Sequence, residues 1–181
     1  MSKQVHLQLI LDGCRLHNPT SQKLLYRHFF GYSMNICLRF SKCKEAAEEI
    51  LNDAFLKVFQ NIDQYKRELP FRPWLRRILI NASIDYYRIH HNYIKSIFLK
   101  DMNDVVSEEM TVNSNSKDFL PTIQQLPPAY RMVFNLYVLE EYKHQEIAEK
   151  LSITVGTSKS NLARAKTKLQ SMLLPSSKMI S

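Results

Sequence analysis

The sequence predicts an all-α protein of two small helical domains, a three- to four-helix bundle and then a helix-turn-helix domain, joined by a flexible linker. Three observations predict it. Apolar residues recur at three- and four-residue spacing over long stretches, the period of a helix with one buried face. Glycine is scarce, at 3 of 181 residues, whereas hairpins need glycine-rich turns between short alternating runs. Charge divides the chain: residues 1–98 hold 15 basic and 8 acidic side chains, 99–121 hold 2 and 5, and 122–181 hold 8 and 4. The acidic middle stretch is rich in Ser and Asn and has little periodicity, so it reads as a tether. The domains are accordingly expected at 1–98 and 119–181, with a linker over 99–118.

A weak helix is expected at about 4–16. Asn18-Pro19-Thr20-Ser21 then marks a helix start, because Asn caps free amides and Pro suits the first helical position. From it Leu25, Phe29, Tyr32, Ile36 and Phe40 fall on one face. A third helix runs from about Lys44 to Ile62 with Ala47, Ile50, Leu51, Ala54, Phe55 and Val58 inward and Glu45, Glu48, Glu49 and Asp53 on the other side. A fourth begins near Pro70-Phe71-Arg72-Pro73 and continues through Trp74, Leu75, Ile78, Leu79, Ala82, Ile89 and Tyr93. In the second domain a short helix ends at Leu126, and Pro127-Pro128 starts another whose apolar face is Val133, Phe134, Tyr137 and Val138. HQEIAEKL, a turn SITVG and a basic helix with Leu162, Ala165, Leu169 and Leu173 inward complete the helix-turn-helix pattern.

The composition also narrows function. Too few glycines remain for a dinucleotide fingerprint or a phosphate-cradling loop. His90-His91, His144 with Glu146, and Glu140-Glu141 lack metal-ligand spacing, and no Ser or Cys has a base partner in sequence, so neither enzymatic activity nor a metal or other cofactor is expected. Cys14, Cys37 and Cys43 are odd in number and lack CxxC spacing, as reduced and mostly buried thiols would be. No apolar run reaches the length of a membrane span and no leader is legible, so the protein is read as cytoplasmic. A net charge of +8 calls for a polyanionic partner. From Ser152 onward there are five basic residues and no acid, which marks the last helix as the one for a DNA major groove. Between Gln64 and Lys95, Lys66, Arg67, Arg72, Arg76, Arg77 and Arg88 alternate with Tyr65, Phe71, Trp74, Tyr86 and Tyr87, a mixture of phosphate-tracking charge and flat rings suited to single strands.

Three motifs stand in order along the chain: Ala47-Glu48-Glu49-Ile50-Leu51-Asn52-Asp53-Ala54-Phe55; then Phe71, Trp74-Leu75, Ile78, Asn81, Asp85 and Arg88; then Leu126-Pro127-Pro128, Glu146-Ile147-Ala148 and Val155-Gly156-Thr157. With them the chain resembles a bacterial sigma factor of the extracytoplasmic-function group of the sigma-70 family. The resemblance implies a transcription initiation factor that binds core RNA polymerase through Glu48, Glu49, Asn52 and Asp53. It implies capture of the minus-ten non-template strand by Lys66, Arg67, Phe71, Arg72, Trp74, Arg76, Arg77, Asn81 and Arg88, an unstacked base entering beside the Asn61–Phe71 loop with Asn81 lining the pocket. The minus-thirty-five duplex would be read by Thr157, Lys159, Ser160, Asn161, Arg164 and Lys168, and an anti-sigma factor would hold the domains until a signal arrives. Ser152 departs from the glycine usual in the turn, and Ser158 from an apolar residue in the recognition helix. The alternative is a helix-turn-helix repressor or activator working without polymerase, which leaves the acidic face and the Phe71–Arg88 pattern without a task.

Overall fold

A computed structural model describes residues 2–98 and 119–173. The expected tether at 99–118, the end of the chain from 174, and the side chains of Tyr93 and Lys95 lie outside the described residues. All regular elements described are helices: α1 (Ser2–Arg15), α2 (Pro19–Phe40), α3 (Lys44–Gln60), α4 (Phe71–Phe98), α5 (Phe119–Gln124), α6 (Pro128–Phe134), α7 (His144–Leu151) and α8 (Val155–Leu173), with a 3-10 turn at Ile62–Gln64 and a π-helical turn at Asn135–Leu139. The chain forms two compact units, 1–83 and 84–181, whose boundary falls within α4.

In the first unit Asn18 caps α2, its side chain accepting from the Ser21 N–H at 3.1 Å, with Pro19 at the first position. Leu25, Phe29, Ile36 and Phe40 are buried as their spacing requires, and all six inward positions expected of α3 are buried. α1 closes on α2 through Gly13, where a Cβ would come within 2.6 Å of Ser21 Cβ. Phe71, the first residue of α4, packs against Phe29, Tyr65 and Trp74 with ring centroids 5.0–5.5 Å apart, so this aromatic cluster fixes the start of α4. Leu75, Leu79 and Ala82 continue the buried face, but Ile89 is exposed. Spacing tells which residues share a face, not how far along a helix the packing extends.

The second unit buries Leu126, Ala165 and Leu169 against Tyr130 and Phe134, with Met132, Val133, Leu136, Ile147 and Leu151 also in its interior. Tyr137 and Val138, expected inward, are exposed. The π turn explains the difference: its i→i+5 bonding inserts an extra residue into the helical repeat, so Leu136 turns inward and the next two positions rotate out. Leu173 is likewise exposed, at the last described turn of α8. The buried guanidinium of Arg131 donates to the carbonyls of Gln124 (2.6 Å) and Leu126 (3.4 Å), closing the end of α5 where Pro127 interrupts the chain.

Scarce glycine has a cost at the helix ends. α1 and α7 each end in the pair of reversed bonds of a Schellman motif, Asn18 N to Gly13 O with His17 N to Cys14 O, and Ile153 N to Ala148 O with Ser152 N to Glu149 O. The left-handed residues there are His17 (φ 53°) and Ser152 (φ 53°), and Glu141 (φ 58°) takes the same conformation after the π turn, while no glycine has positive φ. An L-residue in this region is strained. Ser152→Gly should therefore raise the stability of the chain by about 1 kcal/mol, relief of strain outweighing the entropy glycine adds to the unfolded state. A higher denaturant midpoint at unchanged slope checks this; an unchanged or lower midpoint contradicts it.

Candidate nucleic-acid interface

α8 opens on a side-chain cap: Thr154 Oγ1 accepts from the Thr157 N–H at 3.0 Å and bonds the Thr157 hydroxyl at 2.9 Å. Helical rotation of about 100° per residue then sorts the helix. Ser158, Asn161, Leu162, Ala165 and Leu169 are buried on the side facing the unit's interior. Ser160, Ala163 and Thr167 are exposed along the opposite side, and basic side chains border them, Lys159 and Lys166 on one edge and Arg164 and Lys168 on the other. A strip of small side chains between two cationic edges matches a groove floor between two phosphate walls.

This placement corrects part of the sequence reading. Asn161 is only 9% exposed, turned toward the interior one residue after Ser160, and is not presented with the other base-reading candidates. Thr157 has its N–H and hydroxyl engaged by Thr154. Thr167 is exposed in the middle of the outward strip and was not among the residues the sequence singled out.

His144, the first residue of α7, is held between the two helices of the motif. Its Nδ1 lies 2.9 Å from the buried Ser158 Oγ, and its ring stacks on Tyr137 with centroids 4.4 Å apart. Ser158 thus replaces an apolar contact with a hydrogen bond, and the helices are joined by a polar pin. Loss of hydration, then the nearby charges of Lys159 and Lys166, hold the imidazole below its ordinary value of 6.5.

In the first unit the Asn61–Phe71 segment forms a short exposed loop: after Tyr65, residues 66–70 are all exposed, and the Leu69 N–H donates to Lys66 O at 3.1 Å across a tight turn. Phe71 is buried beneath Phe29, Tyr65 and Trp74, so its ring pins α4 and offers no face to a base. Trp74 is half-buried. By helical rotation Trp74, Arg77 and Asn81 form one stripe along the first unit's part of α4, whereas Arg72 and Arg76 lie on a different side, Arg72 over the Tyr32 ring at 5.5 Å; Arg88 belongs to the second unit, where it donates to Glu149 O at 3.5 Å. Lys66 is exposed on the loop; Arg67 is exposed there too but ion-paired to Asp12 of α1.

The outer side of α3 carries Glu45, Glu49, Asn52 and Asp53, with Glu48 at its edge paired to Lys44 at 3.4 Å and Asp53 to Lys57 at 2.8 Å. Asn52 accepts a hydrogen bond from the Tyr26 hydroxyl at 3.2 Å. At the centre of this acidic face stands Leu56, 59% exposed, which the search for charge passed over. Burial pushes the thiols of Cys14 and Cys37 up to about 11 and about 12, marking inert core positions, while Cys43 is exposed at the start of α3. Among the described residues no cluster of His, Cys, Asp or Glu is arranged to hold a metal ion, and no helix is long and apolar enough to cross a membrane.

A helical bundle whose α4 is rich in arginine and a helix-turn-helix with a cationic outer face define a DNA-binding transcription protein. Family models described as sigma-70 region 2 and sigma-70 region 4 match residues 25–92 and 118–169. The chain is 31% identical to the ECF RNA polymerase sigma factor SigW of Bacillus subtilis, the match covering 76% of this chain and 81% of that one. It is 29% identical to SigM of the same organism over 82% and 92% of the two chains, and 25% identical to the ECF RNA polymerase sigma-E factor of Haemophilus influenzae over 97% and 99%. The chain belongs to the extracytoplasmic-function group of the sigma-70 family of RNA polymerase sigma factors, and so is a transcription initiation factor.

The His144 pin gives a pH dependence with a definite sign. A histidine whose folded value lies below 6.5 binds fewer protons folded than unfolded, so its stabilising effect is complete above 6.5 and is lost as pH falls through the folded value. The thermal midpoint should fall from pH 7.5 to 5.5, and His144→Gln should flatten that slope. Equal slopes in the two proteins would remove His144 from the account.

Proposed function

We propose that the chain divides promoter recognition between its two units, α8 reading the minus-thirty-five duplex and the 61–71 loop with the Trp74–Arg77–Asn81 stripe capturing the minus-ten strand, while the outer face of α3 docks on core RNA polymerase. The observation that carries this reading is the segregation of surface charge. Every charged side chain of α8 is cationic, α4 carries five basic residues against one acid, and among α1 to α4 only α3 has an acidic excess, four against two, centred on an exposed leucine. An acidic, apolar-centred face repels DNA and suits a basic protein surface. A repressor acting alone has no use for such a face, which favours the polymerase-dependent reading. Work alongside polymerase places the protein in the cytoplasm, and an anti-sigma factor that covers these surfaces is the regulator that fits them.

The two edges of α8 should fail differently. Arg164 lies nearer the outward strip than Lys168, which sits at the phosphate edge. In run-off transcription with core polymerase on a randomised promoter pool, Arg164→Ala should cost about 1 to 3 kcal/mol of discrimination at one minus-thirty-five position. Lys168→Ala should weaken all promoters alike and lower the salt slope by about 1. If Arg164→Ala lowers every promoter equally with preferences intact, Arg164 is a phosphate anchor and base reading falls to Lys159 and Ser160. Transcription from the pool that is independent of added protein would overturn the whole reading.

A further inference from the structure

The reading loop is not held by its own residues alone. Nη2 of Arg15, near the end of α1, donates to the backbone carbonyl of Tyr65 at 2.9 Å. The same guanidinium lies 3.3 Å from Asp12 Oδ1 and 3.9 Å from Asp63 Oδ1, and Asp12 Oδ1 in turn accepts from Arg67 at the tip of the loop. Inside the loop the Tyr65 hydroxyl donates to Leu69 O at 2.5 Å, and its ring packs edge-on to Phe71. Tyr65 is therefore held at both ends, by Arg15 at the backbone and by Leu69 at the hydroxyl.

We propose that Asp12 and Arg15 of α1 are positioning residues for capture of the minus-ten strand: they fix the backbone at Tyr65 and tie Arg67 back to α1, so that the exposed turn at 66–69 meets the strand in one preset shape. This rests on the reading of the 61–71 loop given above. The clamp stands on a rigid support, because α1 ends in the Schellman motif at His17 and approaches α2 closely at Gly13. Its members differ in weight. The Asp12–Arg67 pair is solvent-exposed and contributes little by itself. The Arg15 side chain is only 18% exposed, and its bond to Tyr65 O is the one shielded from competing water. Without it, a five-residue exposed segment would sample several shapes, and binding one strand would carry the ordering cost each time. Arg67 changes role in this account. Its charge is compensated by Asp12, so it shapes the loop and contributes less to tracking phosphate than Lys66 beside it.

The test compares wild-type, Arg15→Ala, Arg15→Lys and Asp12→Asn holoenzymes on a promoter pool randomised at the minus-ten element, with thermal melting and core-polymerase affinity measured in parallel. Arg15→Ala should flatten minus-ten base preference by about tenfold, the equivalent of one charge-assisted hydrogen bond, with core affinity and minus-thirty-five preference kept. Arg15→Lys should recover part of the preference, since an ammonium can reach one partner but lacks the fork. Asp12→Asn, at a half-buried position, should flatten the preference by about two- to threefold, with the melting point kept. A merely structural role would lower the melting point and reduce minus-ten and minus-thirty-five preferences together; that result, or an unchanged minus-ten preference in both Arg15→Ala and Asp12→Asn, overturns the proposal. A fourth variant with residues 66–69 replaced by Gly-Ser-Gly-Ser separates the two levels. If it keeps the wild-type minus-ten preference, the loop is not the reader and the clamp falls with it. If it loses the preference while the α1 variants keep theirs, the loop reads and only the clamp is wrong.

Discussion

A small chain with a net charge of +8 must place its cations where they do not repel one another yet leave one surface on which a protein can dock, and that constraint governs the arrangement. The charges are spread along exposed helix faces and the 66–70 turn. α3 takes the opposite sign. Its buried side is apolar and tightly packed, so the acids have only the outer side to occupy, and the same helix packs on the core inwardly and turns its acids outward. Pairing of Glu48 and Asp53 with lysines one turn away tempers the field without hiding Glu45, Glu49 or Leu56.

The other consequence concerns rigidity. A chain with three glycines has few inexpensive corners, and it turns at His17, Glu141 and Ser152 in strained left-handed conformations. Polar contacts then set what turn chemistry leaves loose: Arg15 on Tyr65 O beside the 66–70 turn, Arg131 on the carbonyls behind α5, and His144 on Ser158 within the helix-turn-helix. The aromatic cluster of Phe29, Tyr65, Phe71 and Trp74 does the same with apolar surface, placing the first turn of α4 directly after the loop.

Much of this was legible in the sequence. The all-α class, the eight α-helices among the described residues and the inward face of α3 follow from spacing and capping, which are local. What was not legible depends on the third dimension. The π turn at Asn135–Leu139 has no periodic signature and moved Tyr137 and Val138 to the surface. Phe71 and Asn161 have residue types that suit nucleic acid, and only burial shows that both face inward. Arg15 and Asp12 lie about 50 residues from the loop they hold, beyond the reach of any local pattern. Leu56 was passed over for a different reason: an exposed leucine is ordinary alone and informative only at the centre of an acidic face.

The most direct measurement is a titration of core RNA polymerase with the protein at several salt concentrations, comparing wild type with the Glu49→Lys, Asp53→Lys double variant and with Leu56→Ala. Charges at a docking rim act mainly through association rate, so the double reversal should slow binding most at low salt. Leu56→Ala should instead speed dissociation with little salt dependence, as loss of a central apolar contact does. Wild-type affinity in both variants would show that polymerase docks elsewhere and that the acidic face of α3 is only a solvated surface.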